Sequence, residues 1–160
     1  MGSRDQYRFV GQRLAERGIL AIVADYRTYP ATTFPGFVED GARAVAWARL
    51  HAAEHAGDPE RLFVAGHSAG AQIAALIATD PRYLAAEQMR PSDLAGVIGL
   101  SGPYDFVISG GYRPVFGPLP SGRRHRRSIT STATSRPSCW STEPPTGWSR
   151  PRTARSLPTN

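Results

Sequence analysis

The pentapeptide Gly66-His67-Ser68-Ala69-Gly70 is the part of this sequence whose residue types and spacing could do chemistry. A serine hydroxyl attacks a carbonyl carbon only when a base removes its proton and the resulting oxyanion is stabilised. Glycines two residues before and two residues after a serine leave room for a sharp, strained turn that exposes the hydroxyl. The pattern predicts Ser68 as the nucleophile of an acyl transfer, with the N–H of Ala69 as one donor of the oxyanion hole.

The sequence on either side of this pentapeptide supplies the elements that such a turn requires. The apolar run Leu62–Ala65 precedes it and is typical of a strand that is buried on both faces of a parallel sheet. The Ala-rich run Ala71–Ala78 follows it and is typical of a buried helix. A strand, a tight turn and a helix in this order are the context of a nucleophilic serine, so this interpretation is favoured over a plain glycine turn.

The positions of the four histidines bear on which of them could act as a base. His67 directly precedes Ser68, and its side chain points away from the serine on such a turn, which predicts a packing residue that hydrogen-bonds locally. His51 and His55 come late in a predicted helix and are typical of surface residues or of partners for the helix dipole. His125 lies between arginines near the end of the chain. None of the four is predicted to be the base of Ser68.

Helices and strands alternate along the first two thirds of the chain. The predicted helices are residues 4–17, 37–56 and 69–79, and the predicted strands, all of them apolar runs, are residues 19–24, 61–65 and 95–100. Gly18 is a natural residue to end the first helix. Alternation of this kind predicts an α/β fold in which helices cover both faces of a parallel sheet of three or so strands.

The composition changes abruptly near Gly117. Residues 1–117 contain 11 Arg and 12 acidic residues, whereas residues 118–160 contain 8 Arg, 15 Ser and Thr, 7 Pro and the single acid Glu143. The second part cannot bury enough apolar surface to offset the entropy of ordering, so residues 118–160 are predicted to be a disordered Arg/Ser/Pro-rich tail. Our hypothesis is that this change of composition reflects a shifted reading frame or a mispredicted gene end. Because the net charge of +6 belongs to this tail and not to the domain formed by residues 1–117, no nucleic-acid partner is predicted for the chain. Binding of nucleic acid through the basic tail is the disfavoured alternative.

Several classes of protein are disfavoured by the composition. No apolar run approaches the ~18 residues of a membrane span, and the first residues do not resemble a secretory signal. Cys139 is the only cysteine, which excludes a disulfide framework and a multi-cysteine metal site. We therefore expect a cytoplasmic protein with no membrane partner. The sequence does not determine its oligomeric state.

Five segments in order give the chain a family resemblance. They are Val23–Pro30, Phe37–Asp40 with the following Ala46-Trp47, Gly57–Arg61, the pentapeptide around Ser68, and Leu100–Asp105. Residues from about 4 to 116 resemble the alpha/beta hydrolase superfamily, in particular its carboxylesterase-like branch, which includes hormone-sensitive-lipase-like esterases, feruloyl-esterase-like domains and kynurenine-formamidase-like enzymes. The resemblance implies an esterase that acts on small-molecule esters through an acyl-enzyme, with no metal and no organic cofactor.

The resemblance also indicates what this sequence lacks. In that family a His-Gly-Gly loop precedes the first helix, and an acid and a histidine follow later strands; none of these patterns is present here. We therefore expect an incomplete alpha/beta-hydrolase core that does not hydrolyse esters above background. Asp105 comes one or more strands too early to be the family's acid, and a turn or helix-capping role is predicted for it. Asp25 is predicted to lie at the end of a strand, and Asp40 at the start of a helix. A non-catalytic gene remnant and an aryl-formamidase-type amide hydrolase remain alternatives.

Overall fold

The computed structural model describes residues 3–108, 110–117 and 126–128. Its α-helices are α1 (Arg4–Ala15), α2 (Gly36–His51), α3 (Ala69–Thr79), α4 (Pro81–Ala86) and α5 (Arg113–Phe116). Its strands are β1 (Phe63–His67), β2 (Gly96–Leu100), β3 (Asp105–Val107) and β4 (Arg126–Ser128). Short 3-10 helices lie at Ala52–His55, Pro91–Asp93 and Gly110–Tyr112. In the described residues, no helix has the length and apolar character needed to cross a bilayer.

A parallel pair of strands, β1 and β2, positions the site. The pairs run in register from Phe63 beside Gly96 to His67 beside Leu100. Because side chains alternate along a strand, Phe63, His67 and Leu100 share one face of the pair, while the alternate residues face the other way. Helix α3 packs on that second face and contacts both strands. The predicted strand, turn and helix around position 68 are confirmed as elements.

The core lies between α2, α3 and α4, because each helix carries apolar residues three or four positions apart. Gly41 lets α2 approach α3 closely, since a Cβ there would stand 2.8 Å from Cγ2 of Ile73. Val38, Ile77 and Leu84 are fully buried. The remaining buried members of this core are Phe37, Ala42, Val45, Ile73, Tyr83 and Met89.

The predicted strand at residues 19–24 is wrong, since the structure assigns no strand there. Ile19, Leu20 and Ile22 are 50%, 41% and 42% exposed, although an apolar run of this kind is typical of a buried strand. A strand forms only by pairing, and the described residues provide no neighbouring strand for this run, so its apolar pattern alone does not suffice. The parallel sheet in the described part of the chain consequently has two strands rather than three.

Asp105 begins the short strand β3, which pairs antiparallel with β4. The predicted turn or helix-capping role of Asp105 is therefore wrong, because its partner strand comes from residues 126–128, where the composition indicated no strand. The rest of the segment predicted to be disordered, residues 118–125 and 129–160, lies outside the described residues. His125 and Cys139 belong to that part.

Candidate active site

Ser68 sits at the turn between β1 and α3 with an unusual backbone conformation. Its φ is +54° and its ψ is −117°, which few residues other than glycine adopt. Such a conformation costs on the order of 1–3 kcal/mol and persists only where the surroundings hold it. The Ser68 N–H donates to the carbonyl of Leu100 at 2.8 Å, and the Ser68 carbonyl accepts from the N–H of Ala71 at 3.0 Å. The turn is thus fixed to β2 on one side and to α3 on the other.

The two glycines of the pentapeptide have different structural roles. A Cβ at Gly66 would overlap the backbone of Gly70 and would stand 2.6 Å from the nitrogen of Ala71. A Cβ at Gly70 would meet nothing within 4 Å. Gly66 is therefore required by the close approach of helix to strand. The sequence pattern alone did not distinguish the two positions.

Ala69 is the first residue of α3, and its N–H has no acceptor within the helix. The N-terminus of a helix carries a partial positive charge, which favours an anion placed near it. The first turn of this 11-residue helix contains no acidic residue that would neutralise that charge. The backbone can therefore stabilise an oxyanion that forms at the Ser68 side of the turn.

His67 does not form the local hydrogen bond that the sequence predicts. Its Nδ1 lies 3.2 Å from the hydroxyl of Tyr7, which belongs to α1 and is 60 residues away in the chain. The side chain is exposed rather than packed, on the sheet face that α3 does not cover. Sequence analysis missed Tyr7, because nothing in the residues around position 7 indicates a contact with β1.

The other histidines are placed as the sequence predicts, or lie outside the described residues. His51 is at the end of α2, where its Nδ1 is 3.0 Å from Oε1 of Glu54 and its ring is 4.5 Å from that of Trp47. His55 is exposed in the short helix that follows. In the described ranges, no histidine is hydrogen-bonded to Ser68.

Two acidic residues singled out from the sequence are held by arginines. Asp25 accepts from the backbone N–H of Arg4 at 2.7 Å, and Nε of the same arginine lies 3.3 Å away. Asp40, in the second turn of α2, accepts from Nη2 of Arg27 at 2.7 Å and from Nη1 of Arg43 at 3.1 Å. The hydrogen bond from Arg27 holds the pKa of Asp40 below its usual value, against the opposing effect of burial. These carboxylates fix loops to helices.

No metal centre is visible in the part of the chain that the structure describes. Within residues 3–108, 110–117 and 126–128, no three side chains of His, Cys, Asp or Glu come together in a way that could hold an ion. The chemistry that the described site can support is that of the serine hydroxyl and the N–H groups at the start of α3.

The chain is similar to curated esterases. It is 32% identical over 120 residues to the probable carboxylic ester hydrolase LipM of Mycobacterium tuberculosis, an alignment that covers 72% of the chain and 28% of LipM. It is 32% identical over 124 residues to the isoprenylcysteine alpha-carbonyl methylesterase ICME of Arabidopsis thaliana, covering 71% of the chain and 29% of ICME. The chain therefore spans less than a third of the length of these two relatives.

Solved structures of esterases are also similar. Esterase 2 of Thermogutta terrifontis, phosphoramylated by tabun, superposes with a TM-score of 0.62 and 30% identity over 75% of this chain and 47% of that one. A bacterial heroin esterase superposes with a TM-score of 0.50 and 34% identity over 57% of this chain and 28% of that one. The family described as the alpha/beta hydrolase fold matches residues 1–112. With this match over more than half its length, the chain belongs to the alpha/beta hydrolase fold family.

Proposed function

We propose that Ser68 is the nucleophile of a carboxylic ester hydrolase that acts through an acyl-enzyme. The observation that carries this proposal is the conformation of Ser68, a non-glycine residue with φ of +54° between a parallel strand and a helix N-terminus. Strain of this kind clusters at functional sites, where the surrounding structure maintains it. The names of LipM and ICME support an ester as the class of substrate.

In this mechanism the Ser68 Oγ attacks the ester carbonyl carbon while a base takes the hydroxyl proton. The N–H of Ala69 then donates to the oxyanion of the tetrahedral intermediate. The alcohol leaves with a proton, and water hydrolyses the acyl-enzyme to release the acid and restore the hydroxyl. The described residues supply the nucleophile and one oxyanion donor. They give Ser68 no histidine partner, so the rate of these 160 residues alone is proposed to stay at background.

The proposal is tested by the relative reactivity of serines toward a fluorophosphonate. In this reaction the serine oxygen bonds to phosphorus, the phosphorus–fluorine bond breaks, fluoride leaves and the hydroxyl proton passes to water. Ser101 is a matched control, since it also follows a parallel strand, has φ of +53° and is exposed. We expect mass spectrometry to find Ser68 labelled at least about tenfold faster than Ser101, because preorganised donors act even without a base.

The controls are the single variants Ser68→Ala and Ser101→Ala. The fast labelling should be lost in the first variant and unchanged in the second. Equal labelling of the two serines, or labelling of Ser68→Ala as fast as that of the wild type, would overturn the assignment of Ser68.

A further inference from the structure

We propose that Tyr7 is a positioning residue for Ser68 and acts through the side chain of His67. This inference rests on the proposed function of Ser68. The contact that carries it is the one between the Tyr7 hydroxyl and Nδ1 of His67, 3.2 Å apart. His67 is the last residue of β1 and is bonded directly to the strained Ser68.

The two faces of the strand end are held in different ways. On the α3 face, the backbone of Gly66 packs against that of Gly70 and Ala71, so the helix itself fixes the strand. His67 projects from the opposite face, where Phe63 and Leu100 are 55% and 56% exposed. On that face the hydroxyl of Tyr7 is the polar group that meets the residue next to Ser68.

Helix α1 is suited to deliver this contact because two of its residues are held by residues 23–25. None of its 12 residues is fully buried, so these specific contacts contribute to its position. Its first residue, Arg4, bonds to Asp25 through both its backbone N–H and its side chain. Gly11 packs against Val23, where a Cβ would stand 3.1 Å from Cγ2. The first two turns of α1 are thus tied to residues 23–25.

The surroundings of Tyr7 agree with this placement. Tyr26 follows Asp25, is half-buried, and packs against the core. Burial raises the pKa of Tyr26, and the nearby Tyr7 raises it further. Tyr7 is thus close enough to Tyr26 to influence it, while its hydroxyl lies beside the end of β1. The Tyr7 hydroxyl can donate to His67 Nδ1 or accept from it, depending on the imidazole tautomer.

Hydrogen exchange of one backbone amide tests the proposal without requiring Ser68 to react. The Ser68 N–H donates to Leu100 at 2.8 Å at one end of the strand pair, and the Ala95 N–H donates to Leu62 at 2.8 Å at the other end. If Tyr7 holds the turn, Tyr7→Phe should speed exchange at Ser68 about threefold and leave exchange at Ala95 unchanged. Tyr29→Phe is the matched control, because Tyr29 is exposed.

Variants of His67 separate positioning from general stability. His67→Leu should reproduce the effect of Tyr7→Phe, and the double variant should be no faster than either single variant, since both remove the same contact. His67→Asn should retain slow exchange, because its amide can take the place of Nδ1 and bond to the Tyr7 hydroxyl. Equal acceleration at Ser68 and Ala95, additive effects in the double variant, or no effect of Tyr7→Phe would each overturn the proposal.

Fluorophosphonate labelling distinguishes the failure of this proposal from that of the proposed function. We expect Tyr7→Phe and His67→Leu to slow labelling of Ser68 about threefold and His67→Asn to restore it. Labelling at the same rate in all variants would overturn the positioning role while leaving Ser68 as the nucleophile. Fast exchange at Ser68 in Tyr7→Phe together with no preference for Ser68 over Ser101 would overturn the proposed function alone.

Discussion

At the scale of single residues, the site depends on how closely backbones approach one another. Gly66 must lack a side chain because the start of α3 lies against it, whereas Gly70 faces open space. Ser68 has a strained φ at its exposed position. The backbone hydrogen bonds that Ser68 makes with Leu100 and Ala71 offset the energetic cost of this strain. A substitution at one of these positions should therefore change stability and reactivity in a way that depends on the direction of its Cβ.

Gly66→Ala should destabilise the protein by about 2–4 kcal/mol, since a methyl group would push α3 away from β1. It should also abolish the preferential labelling of Ser68. Urea unfolding followed by circular dichroism measures the first effect. Gly70→Ala is the control: we expect no loss of stability, and a gain of up to about 1 kcal/mol, because alanine favours a helix. Similar losses in both variants would contradict the packing described for Gly66.

Asp40→Asn should lower the free energy of unfolding at pH 7 by about 1–3 kcal/mol, because the carboxylate binds Arg27 and Arg43. The pKa of Asp40 is lower in the folded protein than in the unfolded chain. Its contribution is therefore fully present above the unfolded pKa of ~3.9 and is lost as the pH falls through the folded pKa.

The difference in stability between wild type and Asp40→Asn should consequently shrink as the pH is lowered below about 4. Urea midpoints measured between about pH 7 and pH 3 check this. Glu39→Gln, at the exposed neighbouring position of α2, should show no such convergence. A constant difference at every pH would mean that Asp40 does not act through its charge.

At the scale of elements, the β1–β2 pair has one covered and one open face. Helix α3 lies on the first, while Phe63, Ile98 and Leu100 remain 50–56% exposed on the second. Exposed apolar patches of this kind favour association with other apolar surfaces. The run at residues 19–24, which forms no strand, adds further exposed apolar side chains.

Ile98→Thr should therefore reduce the fluorescence enhancement of a dye that binds apolar surface and should reduce light scattering at high concentration. Its effect on stability should stay within about 1 kcal/mol, because the side chain is half exposed and threonine keeps a strong strand preference. Ile77→Ala, in the core, should instead lower stability by about 2–5 kcal/mol. If dye binding is unchanged by Ile98→Thr, this face is not the apolar surface exposed in solution.

At the scale of the whole molecule, catalysis requires groups that converge from distant parts of the chain. The described residues place the Ser68 hydroxyl and the N–H of Ala69 together at the end of β1, and no histidine among them is hydrogen-bonded to Ser68. Triad members act as a unit, and the loss of one can lower the rate by on the order of 10⁴ to 10⁶. The rate of reaction therefore depends on the complete set of catalytic groups and not on the turn at Ser68 alone.

These 160 residues should accordingly hydrolyse p-nitrophenyl esters no faster than the Ser68→Ala variant does. Initial rates measured at equal concentrations of the two proteins check this, with the buffer alone as the baseline. A turnover that depends on Ser68 and clearly exceeds that of the variant would show that a base reaches the serine, and would contradict this prediction.

The sequence by itself determined the local features of this protein. The pentapeptide and its apolar flanks predicted the β1–Ser68–α3 unit, because turns, helices and strands depend mainly on neighbouring residues. Five segments in the right order indicated the family. Tertiary structure decided what depends on residues far apart in the chain. It left residues 19–24 unpaired, paired Asp105 in a strand and joined Tyr7 to His67. Strand pairing and side-chain contacts between residues about 60 positions apart, such as Tyr7 and His67, depend on which residues the fold brings together. A local sequence pattern does not contain this information.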